Sequence, residues 1–366
     1  MSVQVSNKKQ IILFLIFIFI ILTIVEISIK IITINEYESC NFIENDVYKN
    51  FEKKTLIEMC KNYDEVRNEY NEYLSYIPNQ TFEHVSINNV GLRGNEIIMP
   101  KPENTYRIFL VGGSTMFGSG TSSDETTIPG YLQKKVDSVN YPFDVEIINA
   151  GLPGAYSKTE VLLVNDIISN LEPNLIIIYD GWNDAHIAYS SHIDNRGVKG
   201  ALYDLVNQMK KEMPFYKTPL FVRNNVMSIF STTTSENNVV IDDLEKKTTL
   251  WKERWDNICK KYDSNFDIII TVQPMLGSGK KIFSNSEKTI SNSTGYPISQ
   301  AYAMENFVNT FSEFRHCESL VDMKNSFDQY NETIFFDRGH VGDNGNHIIS
   351  EKFFELISKK LDDFHS

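Results

Sequence analysis

A chain of 366 residues, 42% of them hydrophobic and 23% charged, can form one large globular domain with further segments beside it. Its formal net charge of -13 argues against nucleic acid as a partner, because phosphate binding needs basic patches. The four cysteines form no C-x-x-C pair, which argues against a zinc ribbon or a redox motif. If the chain is exported, Cys40–Cys60 and Cys259–Cys317 are candidate disulfides, and unpaired thiols are the alternative.

The N-terminal segment is the most apolar part of the sequence. From Ile11 to Val25 it is almost unbroken Ile, Leu and Phe, and the apolar character continues to residue 34. A helix over residues 11–34 would be about 36 Å long, enough to cross a bilayer, so we predict a transmembrane anchor there. Lysines precede it and glutamates follow it, which places residues 1–10 in the cytoplasm and the rest of the chain outside the cell membrane. A cleaved signal peptide is the alternative, but no small-x-small cleavage site follows.

Residues 35–104 are expected to connect the anchor to a folded domain. The stretch 35–76 is acidic, rich in Tyr and free of Gly and Pro, which predicts one or two helices acting as a stalk or a cover. Turn-forming residues are frequent in 79–104, which predicts turns and extended chain. We therefore interpret this region as a helical stalk followed by a linker.

From residue 105 onward, short apolar runs alternate with helical patterns. Strands are predicted at Arg107–Gly112, Asp144–Asn149, Leu175–Tyr179, Asp267–Val272 and Leu320–Asp322. Helices are predicted at Thr127–Val139, Lys158–Asn170, Leu244–Tyr262, Gln300–Arg315 and Asn346–Leu361. Apolar strands separated by helices imply a parallel sheet covered on both faces. The sequence thus predicts an α/β fold, a three-layer α/β/α sandwich over residues 105–366, with an insertion at about 185–243 that could cover the active site.

Polar blocks follow the first two predicted strands, at the edge where parallel sheets place their chemistry. In the first, Gly112-Gly113-Ser114-Thr115, the serine hydroxyl could be exposed on a sharp turn beside backbone N–H groups that suit an oxyanion. Such a sequence is more often a plain turn or a helix N-cap. The second block, residues 149–154, is a tight glycine loop that could approach a ligand, or simply a strand-to-helix connection.

Two further blocks supply side chains that can donate or accept protons. After the third strand, Asn183 could donate its amide to an oxyanion and Trp182 could line a pocket, although a helix-capping turn is the alternative. Before the last helix, Asp337 and His340 are three residues apart and can meet across one turn, where the carboxylate would orient the imidazole. His347 is interpreted as a surface or helix-packing residue.

The order of these four blocks resembles the SGNH hydrolase superfamily, also called GDSL-type esterases, over about residues 106–361 without the insertion. The resemblance implies a flavodoxin-like fold and a serine esterase. It makes Ser114 the nucleophile and a donor to the oxyanion hole, together with the side chain of Asn183. Gly154 fits the family's oxyanion glycine better than Gly151 does.

The same resemblance makes His340 the base that activates the nucleophile and Asp337 the residue that orients it. Thr115 and Trp182 are candidate substrate-lining residues. Two departures matter. The first block reads Gly-Gly-Ser-Thr rather than Gly-Asp-Ser-Leu, so an aspartate common in the family is missing. The long insertion is absent from the minimal fold, so arguments about lids and substrates do not transfer.

The expected activity is hydrolysis of acyl or acetyl esters through an acyl-enzyme, on a cell-surface glycan or lipid, with no metal or other cofactor. An O-acyltransferase using the same residues is one alternative. A catalytically inactive, membrane-tethered binding module is a second, and assembly through the predicted stalk is a third. The expected partners are the ester-bearing substrate and the lipid bilayer. Sequons at Asn79, Asn292 and Asn331 would permit glycosylation of an exported domain.

Overall fold

The computed structural model describes residues 7–32, 45–66, 76–193, 243–293, 301–317 and 319–364. The described residues fall into two compact units, one of which holds the N-terminal helix and the other all remaining described residues. Most of the predicted insertion, residues 194–242, lies outside the described ranges.

In the N-terminal unit, the described residues form helix α1, Asn7–Ile32. Its apolar side chains are exposed around the helix, for example Phe14 at 63% and Phe17 at 60%. A helix that is apolar all round is typical of a buried core or a membrane span. Within the described residues, α1 is the one helix long and apolar enough to cross a membrane, over Lys8–Ser28 with a mean hydropathy of 3.1. This rests on length and composition, and a signal sequence would meet the same criteria.

The second unit is built on a parallel sheet of five strands. The strands are β3 Thr105–Gly112, β4 Asp144–Gly151, β5 Leu175–Asp180, β6 Asp267–Val272 and β7 Ser319–Asp322, preceded by a short antiparallel pair, β1 Gln80–Thr81 and β2 Ser86–Ile87. The order in the sheet is β4-β3-β5-β6-β7, with every pair parallel. The connections reverse direction at β3, so the carboxyl ends of β3 and β5 flank the switch point where open α/β sheets bind ligands.

Helices cover both faces of this sheet. In chain order they are α2 Lys53–Glu65, α3 Ser114–Phe117, α4 Ile128–Asp137, α5 Ser157–Asp166, α6 Trp182–His186, α7 Tyr189–Ile193, α8 Leu244–Tyr262, α9 Asn285–Asn292, α10 Ala303–Asn309 and α11 Asp343–Asp363. Alternate strand residues face opposite sides, so Phe109 packs with Trp251 on one face and Ile108 packs with Phe353 on the other. The predicted three-layer α/β/α sandwich is therefore confirmed.

Several predicted helix boundaries differ from the observed ones. The helix predicted to end at residue 170 ends at Asp166, and a 3₁₀ turn then leads into Pro173, which cannot continue a helix. The helix predicted over Gln300–Arg315 spans Ala303–Asn309 and continues as a 3₁₀ turn. The last helix begins three residues earlier than predicted, at Asp343, directly after the extended Gly342.

The described residues between α1 and the sheet belong to the sheet unit and pack within it. Arg93 has 2% of its surface exposed and binds Asp124 at 2.6 Å and the carbonyl oxygen of Phe117 at 2.9 Å. Tyr48 is also buried, and its hydroxyl donates to Gly120 at 2.6 Å. Arg93 and Tyr48 therefore hold this region against α3 and the loop that follows it.

One of the two candidate disulfides lies within the described residues. Cys259 on α8 and Cys317, just before β7, are joined across a sequence separation of 58 residues. Cys60 on α2 is also disulfide-bonded, whereas Cys40 lies outside the described residues. The bond between Cys259 and Cys317 ties a covering helix to the edge strand of the sheet.

Candidate active site

The predicted nucleophile lies at the carboxyl end of β3, beside the switch point of the sheet. Strand β3 ends at Gly112, Gly113 has an extended backbone, and Ser114 is the first residue of the short helix α3. Ser114 is half-buried, so its hydroxyl remains accessible. Within the described residues, its N–H has no protein acceptor, as expected at a helix start. The turn therefore presents both a hydroxyl and an unused N–H donor.

Ser114, His340 and Asp337 form one continuous chain of hydrogen bonds. The Oγ of Ser114 is 2.6 Å from Nε2 of His340, and Nδ1 of His340 is 2.7 Å from Oδ2 of Asp337. A carboxylate only accepts, so Nδ1 carries the hydrogen and Nε2 is the nitrogen able to accept the serine proton. The other oxygen of Asp337 accepts the N–H groups of Gly339 and His340 at 2.8 and 2.7 Å. The loop thus fixes the carboxylate, and the carboxylate fixes the imidazole.

The electrostatics of this pair suit a general base. Burial alone would lower the pKa of His340, but the charge and hydrogen bond of Asp337 outweigh it and raise that pKa above its usual value. Burial alone would raise the pKa of Asp337, but the charge and hydrogen bonds of His340 outweigh it and lower that pKa. The two groups therefore stabilise each other's charged forms, with the carboxylate ionised beside the imidazole.

The residues predicted to hold an oxyanion gather around this turn. The Asn183 amide nitrogen lies 2.5 Å from the position that a Cβ atom on Gly113 would occupy, and it donates to the carbonyl oxygen of Ala155 at 2.6 Å. The second hydrogen of this amide is free to donate to a ligand. Gly154 adopts φ 80°, and a Cβ atom there would meet nothing within 4 Å. Its N–H has no protein acceptor in the described part of the chain, so it can also serve a ligand.

Gly151, the less favoured candidate, has a packing role. A Cβ atom on Gly151 would overlap the backbone nitrogen of Phe117, so the glycine lets α3 approach strand β4 closely. Gly113 has a similar role toward Asn183. A side chain at position 113 would therefore displace the amide, so glycine suits this position.

The two candidate lining residues have different positions. Trp182 is half-buried, and its indole ring lies 3.5 Å from the Cβ position of Gly339, beside the catalytic loop. Thr115 has only 7% of its surface exposed, because α3 buries residues 115–117. Burial inside the fold therefore leaves Trp182 as the better candidate for substrate contact. His347 is half-exposed and packs on Tyr131, as expected of a helix-packing residue.

An aromatic stack behind His340 was not predicted from the sequence. The ring of Phe336 stacks on the His340 imidazole with centroids 5.6 Å apart and planes at 12°. The Tyr48 ring packs against the Phe336 ring, with centroids 5.6 Å apart. Asn45 donates to the Phe336 carbonyl oxygen at 3.2 Å. The segment preceding α2 therefore packs against the loop that carries His340, through contacts between residues nearly 300 positions apart that no local sequence pattern indicates.

Buried carboxylates form a second unpredicted feature, beneath the Asn183 turn. Asp180 binds the N–H of Gly181 and the indole of Trp251, and Asp184 binds Ser157 at the start of α5. Glu160 is fully buried beside both aspartates, and burial, followed by their charges, raises its pKa well above the usual value. Asp184 thus connects the turn that carries Asn183 to α5, the helix that follows Gly154, and Asp180 connects the same turn to α8.

The comparisons with known proteins give only remote structural similarities. No family model matches the chain, and no curated protein matches it. Among solved structures, an acetyl xylan esterase is similar at 14% identity and TM-score 0.42, covering 69% of this chain and 99% of its own. A lipase/acylhydrolase from Enterococcus faecalis is similar at 13% identity and TM-score 0.42, covering 70% and 96%. A variant acetyl xylan esterase from Geobacillus stearothermophilus is similar at 12% identity and TM-score 0.40, covering 69% of this chain and 94% of its own. Similarities this remote add nothing to an argument about activity, which rests on the site itself.

Proposed function

We propose that this protein is a membrane-anchored serine esterase of the SGNH type that hydrolyses acyl or acetyl esters through an acyl-enzyme. The observation that carries the proposal is the hydrogen-bonded chain Ser114–His340–Asp337 at the switch point of the sheet. A hydroxyl activated by an oriented imidazole is the arrangement that nucleophilic acyl transfer requires. The substrate would be an ester-bearing glycan or lipid at the cell surface.

In the first half of the reaction, the Ser114 oxygen attacks the ester carbonyl carbon while Nε2 of His340 takes the hydroxyl proton. The carbonyl oxygen becomes an oxyanion that accepts from the N–H groups of Ser114 and Gly154 and from the Asn183 amide. Asp337 stabilises the charged imidazolium. Collapse of the tetrahedral species breaks the bond to the alcohol, which leaves with the proton from His340.

In the second half, water attacks the acyl-enzyme carbonyl and His340 takes a proton from it. Collapse of the second tetrahedral species releases the carboxylic acid and returns the proton to the Ser114 oxygen. If an acceptor alcohol attacks in place of water, the same residues perform an acyl transfer. This makes O-acyltransferase activity the alternative outcome of the assay.

We further propose that residues 11–34 anchor the protein, with residues 1–10 cytoplasmic and the sheet domain, 105–366, outside the cell. The apolar helix α1 supports the anchor by length and composition. The Cys259–Cys317 disulfide supports an oxidising compartment for the sheet domain. Residues 35–104 would connect the two.

The test compares the full-length chain in detergent micelles with its Ser114→Ala variant on short-chain aryl esters. Ser138→Ala is the matched control, because Ser138 is an exposed serine that only donates to the carbonyl oxygen of Lys135. We expect Ser114→Ala to lose at least about 10³-fold in rate and the control to retain it. Equal rates in the wild type and Ser114→Ala would refute the esterase. Added acceptor alcohol that captures the acyl group faster than water does would favour the transferase.

A further inference from the structure

A cluster of ligand-type side chains lies outside the catalytic chain, where α2 meets the turn between β1 and β2. Glu58 belongs to α2, and Glu83 and His84 form the turn. One ligand atom from each of the three lies within 4.8 Å of the other two. The turn is fixed against α2, because the N–H of His84 donates to the side chain of Asn62 at 3.0 Å. The backbone of the turn is therefore fixed against α2 before any ligand binds.

The hydrogen bonds of the His84 ring leave one of its two nitrogens without a partner in the described part of the chain. Its Nδ1 lies 2.8 Å from the carbonyl oxygen of Ser122, and because a carbonyl only accepts, Nδ1 carries the hydrogen. Nε2 is buried and has no hydrogen-bond partner within the described ranges, and His84 as a whole is 9% exposed. A buried nitrogen lone pair without a partner is unfavourable. A cation among the three groups would give this nitrogen a partner.

We propose that Glu58, Glu83 and His84 bind a divalent transition-metal ion, with Zn²⁺ as the ion that fits best. An imidazole nitrogen with two carboxylates suits zinc, whereas Ca²⁺ and Mg²⁺ prefer oxygen ligands alone. A metal-bound histidine usually donates its other ring N–H to a carbonyl or carboxylate, as His84 does to Ser122. The pair between Lys54 and Glu58, at 3.6 Å, is largely exposed and does not replace this interaction.

The ion would cross-link the segment between the anchor and the sheet domain. Helix α2 also carries Cys60, which is disulfide-bonded. The carbonyl oxygen of His84 accepts from Arg93 at 3.0 Å, and Ser122, beneath the imidazole, binds Asp343 at the start of α11. The cation would therefore fasten α2 to the loop that contacts the last helix.

The experiment uses the full-length protein in detergent micelles, freed of metal by a chelator and then dialysed. Zn²⁺ is titrated against a chromophoric competitor, and thermal unfolding is recorded with and without Zn²⁺. The variants are His84→Gln and Glu83→Gln, the second being an exposed turn residue whose replacement should not affect folding. Glu65→Gln is the matched control, because Glu65 is an exposed carboxylate on α2 outside the cluster.

We expect one equivalent of Zn²⁺ to bind the wild type and the Glu65→Gln control with equal affinity and to raise the Tm of both. Changing outer-sphere partners costs about 10–100-fold in affinity, so losing a direct ligand in either cluster variant should cost at least about 100-fold. Excess Mg²⁺ or Ca²⁺ should not displace the zinc. Absence of stoichiometric binding to the wild type would overturn the proposal. The proposal would also be overturned if Glu83→Gln and Glu65→Gln bound Zn²⁺ with the same affinity.

Discussion

The contact between Gly113 and Asn183 makes a quantitative prediction about the oxyanion hole. Replacing Asn183 with alanine removes one donor, and loss of one donor typically costs about 10²–10³ in kcat, or about 3–4 kcal/mol of transition-state stabilisation. Gly113→Ala leaves the amide in the chain but places a methyl group where the Asn183 nitrogen would be only 2.5 Å away. Because van der Waals contact needs more than 3 Å, the amide must move away from its position, and we expect a loss of similar size.

The double variant Gly113→Ala/Asn183→Ala separates this mechanism from general damage. If Gly113 acts by making room for the amide, alanine at 113 costs nothing further once the amide is gone. The double variant should then match Asn183→Ala alone, with a coupling energy of about 3 kcal/mol. If the two residues act independently, the losses should multiply to about 10⁴–10⁶.

The assay is steady-state hydrolysis of an aryl ester by the full-length protein in detergent micelles. The loss should appear in kcat with little change in KM, because the oxyanion forms only in the transition state. Asn170→Ala is the control, since the exposed Asn170 amide likewise donates to a carbonyl oxygen, at 3.0 Å. Multiplicative losses, or an Asn183→Ala variant as active as the control, would refute the assignment of the amide and the role given to Gly113.

Two further predictions concern protons. His340 would act in its neutral form, and its pKa is raised above 6.5, so kcat/KM should rise with pH and reach half its maximum above pH 6.5. Asp337→Asn removes the carboxylate that raises this pKa, so the pH of half-maximal kcat/KM should move down. The maximal rate should fall about 10³–10⁴-fold. A midpoint that stays or moves up, in a pH–rate profile, would contradict this. The raised pKa of Glu160 means that its stabilising contribution is complete below the unfolded value of 4.5 and is lost as pH rises toward the folded value. The Glu160→Gln variant has no proton to lose, so its Tm should be higher than that of the wild type near pH 8 but not near pH 4.5. A lower Tm of the variant near pH 8 would show that the carboxyl group is not destabilising at that pH.

The glycine at position 113 illustrates what the sequence alone leaves unexplained. The motif that the sequence resembles has an aspartate at this position, and the sequence gives no reason for the difference. In the structure, the position that a side chain would take is already close to the Asn183 amide, so glycine is the residue compatible with this arrangement. The reason depends on a contact between residues on two different strand ends.

The sequence by itself determined the strands, their parallel direction and the placement of the four polar blocks. These features are local: apolar runs of strand length, helical periodicity between them, and an Asp and a His three residues apart. Parallel strands end at one edge of a sheet, which predicts that Ser114 and Asn183 lie at the same edge. The resemblance to the SGNH hydrolases implied that His340 joins them.

Only the tertiary structure decided which groups support these residues and which are buried with them. The Tyr48–Phe336 contact, the burial of Glu160 among two aspartates and the joining of Glu58 with His84 all connect segments distant in sequence. Side chains in such contacts follow no period along the chain, because their partners are set by how covering segments dock on the sheet. The sequence carries the chemistry of each group, whereas the packing of the fold determines what that group faces.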